Sequence, residues 1–185
     1  MAYDSILSVL DGSFRYKDAP STIYVATIKD HPDFLKIGFC QLSFRRMRRS
    51  DPFIENILWE SCTTRFPDEI GDITREQAYV FEQYLLDSLT NYLEAIPQLK
   101  DAKWGGYTET LRITQPQRID FVKWIEDSMY SLLSRGESEL LRMLMALSTS
   151  ALERDLLNDR WDRFDEECHT RAAKFGRVYE PSPRY

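Results

Sequence analysis

The run TIYVATI (22–28) is β-branched and aromatic, and predicts a strand. KDHPDF, with Pro32 and two aspartates, predicts a turn, and FLKIGFC (34–40) a second short strand, so the pair reads as a hairpin. QLSFRRMRRS (41–50) predicts a short basic helix stopped by Asp51-Pro52, and FIENILWESCTT (53–64) a third strand with imperfect alternation. After a polar loop, Thr74 and Gln77 have the spacing of a capping box and open a helix running to Ile96. Its apolar stripe is Ala78, Phe81, Leu85, Leu89 and Leu93, widened by Tyr84 and Tyr92, and Pro97 is expected to end it. AKWGGYTETLRI then gives a Gly-Gly turn and a short strand-like run.

The two ends of the chain are helical in pattern. YDSILSVL predicts a short helix ended by Asp11-Gly12. From Gln115 onward, Phe121, Val122, Ile125, Met129, Leu132 and Leu133 mark an amphipathic helix with Gly136 as its stop. Residues 137–175 read as one long helix or two shorter ones. The expected organisation is an N-terminal helix and linker (1–20), an α/β domain (21–114) and a helical C-terminal region (115–185). That last region is either an appendage or the helical cover of the α/β half. The fold class is α/β, with a small three-stranded, mostly antiparallel sheet flanked by helices.

Composition narrows the classes. A chain of 185 residues with 43% hydrophobic and 13% aromatic content supports a packed core. No apolar run approaches the roughly 18 residues of a membrane helix, and MAYDSILSVLDGSF lacks the basic start of a signal peptide. Cys40, Cys62 and Cys168 lie far apart and form no CxxC pair, which suggests a reducing, cytoplasmic setting. Two histidines argue against a His/Cys zinc site.

The formal net charge of −6 is unevenly spread. Residues 66–102 hold two basic and eight acidic residues, while Arg45, Arg46, Arg48 and Arg49 crowd five positions. An acidic protein can bind nucleic acid through such a local patch, with modest non-specific affinity.

The order of these elements carries TIYV (22–25), KIG (36–38), FRRMRR (44–49) and FEQYLLDSL (81–89). This set resembles the GIY-YIG nuclease family, in a phage-type branch with a Lys-Ile-Gly second motif. Gly-Ile-Tyr reads here as Thr22-Ile23-Tyr24, and Tyr-Ile-Gly as Lys36-Ile37-Gly38. The family's arginine falls about eight residues past that glycine, which selects Arg46, and its metal-binding glutamate selects Glu82. GGYTETL is similar to a Gly-x-x-Glu segment near the end of many phage-type members. The resemblance covers residues 22 to about 113 and departs from the family at Thr22, at Lys36 and in the late asparagine.

It implies a Mg²⁺- or Mn²⁺-dependent endonuclease acting on DNA. Phosphodiester hydrolysis needs an activated water, charge stabilisation at phosphorus and help for the leaving oxygen. Tyr24 can accept or relay a proton if its surroundings lower its pKa, and Lys36 can lower that pKa or bind phosphate. Arg46 offers a planar fork to phosphate oxygens. Glu82 can hold a metal that keeps several waters. Gly38 permits close approach, and Arg45 and Arg49 can touch flanking phosphates.

Each residue also has a plainer reading. Tyr24 can be core packing, Glu82 a boundary residue, and the arginines a solvated helix face. Trp104 can stack on a base or simply pack, and His31 reads as a surface residue in a turn. The stripe Leu140, Leu144, Leu147, Leu152 and Leu156 is either core or a homodimer interface through the C-terminal helices. The competing function is an inactive GIY-YIG-like module that binds protein or nucleic acid.

Overall fold

The computed structural model describes residues 5–40, 51–60, 73–102, 104, 108–181 and 184. Its centre is a four-stranded antiparallel sheet in the order β3-β1-β2-β4. The strands are β1 (Thr22–Ile28), β2 (His31–Cys40), β3 (Ile54–Glu60) and β4 (Thr110–Arg112). Six α-helices accompany them among the described residues: α1 (Ile6–Leu10), α2 (Arg75–Ser88), α3 (Pro97–Asp101), α4 (Gln115–Arg135), α5 (Glu137–Leu147) and α6 (Ala151–Lys174). None of them is long and apolar enough to cross a membrane.

The α/β class and the β1–β2 hairpin match the sequence pattern, but the sheet has four strands rather than three. The strand-like run after Gly105-Gly106 pairs with β2 over Phe34↔Arg112, Leu35↔Leu111 and Lys36↔Thr110. Three residues give too short an alternation to mark a strand without the partner. The turn is also shorter than expected. Lys29 and Asp30 make it, with Asp30 in the left-handed region at φ 63°, and His31 and Pro32 already belong to β2. Pro32 is tolerated because pairing with β4 begins only at Phe34.

Helix α2 opens as its capping box predicts, with Thr74 and Gln77 satisfying each other's backbone N–H. It stops at Ser88, before Pro97. Ser88 Oγ donates to the Tyr84 carbonyl, and Thr90 Oγ1 to that of Asp87, at 2.8 and 2.7 Å, so side chains take up the last free carbonyls. Pro97 opens α3 at its first position, where a missing N–H does no harm. Residues 137–175 form two helices, split at Ser148–Ser150, where Ser150 and Glu153 make another capping box. Gly136 ends α4 at φ 55°.

The two faces of the sheet differ in kind. One face (Ile23, Val25, Leu35, Ile37, Trp59, Leu111) joins a single large core with α1, α2 and α4 to α6. Phe81, Leu85, Met129, Leu141, Leu144 and Leu157 are fully buried in it. At about 25 cal/mol per Å² of apolar area, this layer is the main stabilising element. Within the C-terminal leucine stripe, Leu140 and Leu144 are core, Leu147 and Leu156 pack at its margin, and Leu152 is exposed. Two smaller clusters lie apart from it: Tyr24, Ala26 and Ile54, with Cys40 and Ile57 alongside, and Ile28, Ile96 and Leu99, with Phe34, Phe53 and Trp104 alongside.

Candidate functional site

The site is built around the Tyr24 cluster. In the β1–β2 register Tyr24 stands opposite Gly38 and Ala26 opposite Lys36, so Tyr24, Lys36 and Gly38 share one patch of sheet. Gly38 is required by Tyr24. A Cβ at that position would run into the phenol Oη, with Cζ at 2.5 Å and Cε1 at 2.8 Å. The close approach that this glycine permits is therefore that of the Tyr24 ring.

Glu82 arrives from the side. Ala78, Phe81 and Leu85 fasten α2 to the core, and Glu82 projects towards the edge of β2. β4 pairs with β2 only as far as Lys36, so beyond it this edge has no strand beside it among the described residues. The Glu82 carboxylate takes that place and accepts a hydrogen bond from the Phe39 N–H. It is 7% exposed. Burial and the neighbouring Glu109 carboxylate push its pKa from the ordinary 4.5 up to about 8, against the opposing pull of Lys36 and the Phe39 N–H.

Lys36 is 5% exposed, and two groups define its position. Its ammonium forms an ion pair with Glu109, which lies just before β4. It also lies 5.5 Å from the centre of the Trp104 ring. Trp104 in turn donates its indole N–H to Asp51 Oδ2 at 3.2 Å and packs against Phe53 at 5.5 Å. Trp104 is thus engaged by Lys36, Phe53 and Asp51, which is the packing role rather than the base-stacking one.

Tyr24 differs from the expectation for a lowered phenol. Burial comes first, then the charges of Glu82 and Asp51, and together they hold its hydroxyl well above the ordinary tyrosine range. At neutral pH it is an un-ionised O–H. The positive charge of Lys36 is spent on Glu109 and Glu82 instead.

Tyr24, Lys36, Gly38 and Glu82 therefore converge, although Tyr24 and Glu82 lie on elements far apart in sequence. Arg45, Arg46 and Arg49 lie outside the described residues. Two acids in this neighbourhood were not among the expected site residues. Glu109 lies in the GGYTETL run, where only the Gly-x-x-Glu spacing marked it. Asp51 was read as a helix stop, and its side chain also accepts from the Phe53 N–H at 3.0 Å. His31 sits at the start of β2, with its ring 6.3 Å from Phe34.

Among the described residues no group of three or more His, Cys, Asp or Glu side chains is arranged to hold a metal ion. One buried carboxylate with excess negative charge around it still suits a magnesium-like ion that keeps most of its water. A cleft of about 810 Å³ lies elsewhere, between α1, the α4–α5 turn and α6. Arg160 in that cleft is neutralised by Glu76 and Glu137 at 2.8 and 2.7 Å, which makes it a latch between helices. Comparison with protein-family models, curated proteins and solved structures finds no match to this chain.

Proposed function

We propose that the protein is a metal-dependent endonuclease of the GIY-YIG type, cutting phosphodiester bonds in DNA at the Tyr24–Lys36–Glu82 site. The observation that carries this reading is the convergence of Tyr24 and Glu82, which couple electrostatically across two elements distant in sequence. Ordinary packing gives no reason for a carboxylate to be buried there with its pKa raised to about 8.

The chain's own groups divide the work. Glu82 is the carboxylate for a Mg²⁺ or Mn²⁺ ion, which when bound polarises a phosphoryl oxygen and steadies the leaving oxygen. Tyr24 acts as a neutral phenol that orients the attacking water and relays its proton. Gly38 keeps the ring where it can do so. Lys36 supplies a fixed positive charge beside the phosphate, and Arg46 completes the charge stabilisation on the sequence resemblance alone.

One observation favours the second reading, an inactive module on the same scaffold: the Lys36 ammonium is already paired with Glu109. A plasmid-nicking assay with Mg²⁺ or Mn²⁺ separates the two. Wild type nicks and Glu82→Ala loses at least about 100-fold under the endonuclease reading, on the scale of removing a metal ligand or its support. Equal activity of the two proteins overturns it.

A further inference from the structure

Glu109 is half-exposed, at 38%, whereas its Lys36 partner is 6% exposed at the side chain. The buried member of the pair thus sits inside the site, and the accessible member stands at its margin. A lysine has four rotatable side-chain bonds and no fixed fork, so burial alone does not place its ammonium. Here two contacts do so from different directions, the Glu109 carboxylate and the face of Trp104. Trp104 is itself held by Asp51 and Phe53. Glu109 lies next to Thr110, whose side chain donates to the Glu94 carbonyl at 2.5 Å and whose own carbonyl accepts from the Glu94 N–H at 2.9 Å. The carboxylate is therefore carried on an anchored strand end.

We infer that Glu109 is a positioning residue for the proposed hydrolysis: it fixes the Lys36 ammonium against the scissile phosphate and acts on the reaction mainly through Lys36. This rests on the endonuclease reading of the site. Without its carboxylate, the ammonium keeps its burial and loses its ion-pair partner, so it is free to swing away from that position. Misplacement of one charged group by about 1 Å is enough to slow a reaction about 100-fold.

The test is a double-mutant cycle on metal-dependent plasmid nicking, with Glu109→Gln, Glu109→Asp, Lys36→Met and the double variant Lys36→Met/Glu109→Gln. Expected is a fall in kcat of about 10- to 100-fold for Glu109→Gln with KM nearly unchanged, and partial recovery in Glu109→Asp. In the Lys36→Met background Glu109→Gln should change kcat less than about threefold. The inference is overturned by wild-type kcat in Glu109→Gln, or by the same fold-loss in both backgrounds. Where Lys36→Met cuts too slowly to follow, the unfolding equilibrium in urea gives the second reading. Glu109→Gln should then shift it at least about tenfold with Lys36 present and little without it, and equal shifts in both backgrounds overturn the inference. A wild type that cuts nothing with either metal refutes the endonuclease reading itself, which is a separate outcome from an active wild type indifferent to Glu109.

Discussion

Replacing Glu82 with glutamine should make the protein more stable while removing its proposed activity. The carboxyl is raised from the ordinary 4.5 to about 8, so the folded state holds its proton more tightly than the unfolded state does. Between those two pH values the folded chain binds more protons, and stability falls as pH rises through the window. Below about 4.5 both states are protonated, and above about 8 both are ionised, so the contribution is flat outside it. Three and a half tenfold steps in proton affinity, at about 1.4 kcal/mol each, come to about 5 kcal/mol. That is a large part of the 5–15 kcal/mol typical of a domain. Glutamine keeps the shape and cannot ionise. Urea unfolding in EDTA at intervals from pH 4.5 to 9, followed by tryptophan fluorescence, measures the difference between the two proteins. It should be small at pH 4.5 and grow to several kcal/mol in favour of Glu82→Gln by pH 9. Adding Mg²⁺ at pH 9 should narrow the gap by stabilising wild type alone, because the ion binds the carboxylate and not the amide. A difference that stays constant with pH to within about 0.5 kcal/mol refutes the account of Glu82.

The other predictions concern the scaffold. Gly38→Ala places a Cβ against the Tyr24 ring, so it should destabilise the fold by about 1–3 kcal/mol and reduce nicking, and in a Tyr24→Ala background its stability effect should largely vanish. Urea unfolding of the four proteins checks this. Arg160→Met removes the partner of both Glu76 and Glu137, so it should destabilise by about 3 kcal/mol in the same assay. Its nicking rate per folded molecule should equal wild type, because Arg160 lies among the helices and outside the Tyr24–Glu82 site.

What could be read in the sequence was whatever its own neighbourhood signals. The β1–β2 hairpin announces itself by β-branched runs around an aspartate turn, α2 by Thr74 and Gln77, and the end of α4 by Gly136. Features defined by distant partners were harder. β4 is three residues long and becomes a strand only because β2 lies beside it. Pro97 is equally consistent with ending one helix or starting another, and in the structure it starts one, α2 having ended at Ser88. The same distinction runs through the site. Tyr24, Lys36 and Glu82 were singled out by the resemblance to the GIY-YIG family, but the Lys36–Glu109 pair joins positions 73 apart, and nothing near either residue announces the other. The direction of the Tyr24 shift was hidden for the same reason, since Glu82 and Asp51 set it together with burial.

The buried Lys36 and the partly buried Arg160 meet their carboxylates differently. Arg160 also faces two carboxylates, and its guanidinium meets both of them directly, Glu76 with two nitrogens and Glu137 with a third. Lys36 meets Glu109, and among the described residues the Glu82 carboxylate has the Phe39 N–H and a contact to Gln83 at 3.5 Å. An apolar residue at position 82 would spare the fold that burial. Under the endonuclease proposal, positive charge beside Glu82 comes from a divalent ion or from Arg46, and the two would leave different signatures. A divalent ion at Glu82 would bind in competition with its proton, so its affinity should rise with pH up to about 8 and a chelator should reverse its effect. An arginine is charged at every pH in that range and is indifferent to chelation. Glu82 thus links the stability of the fold to the cation requirement of the proposed reaction, so metal dependence can be tested on the protein before any DNA target is known.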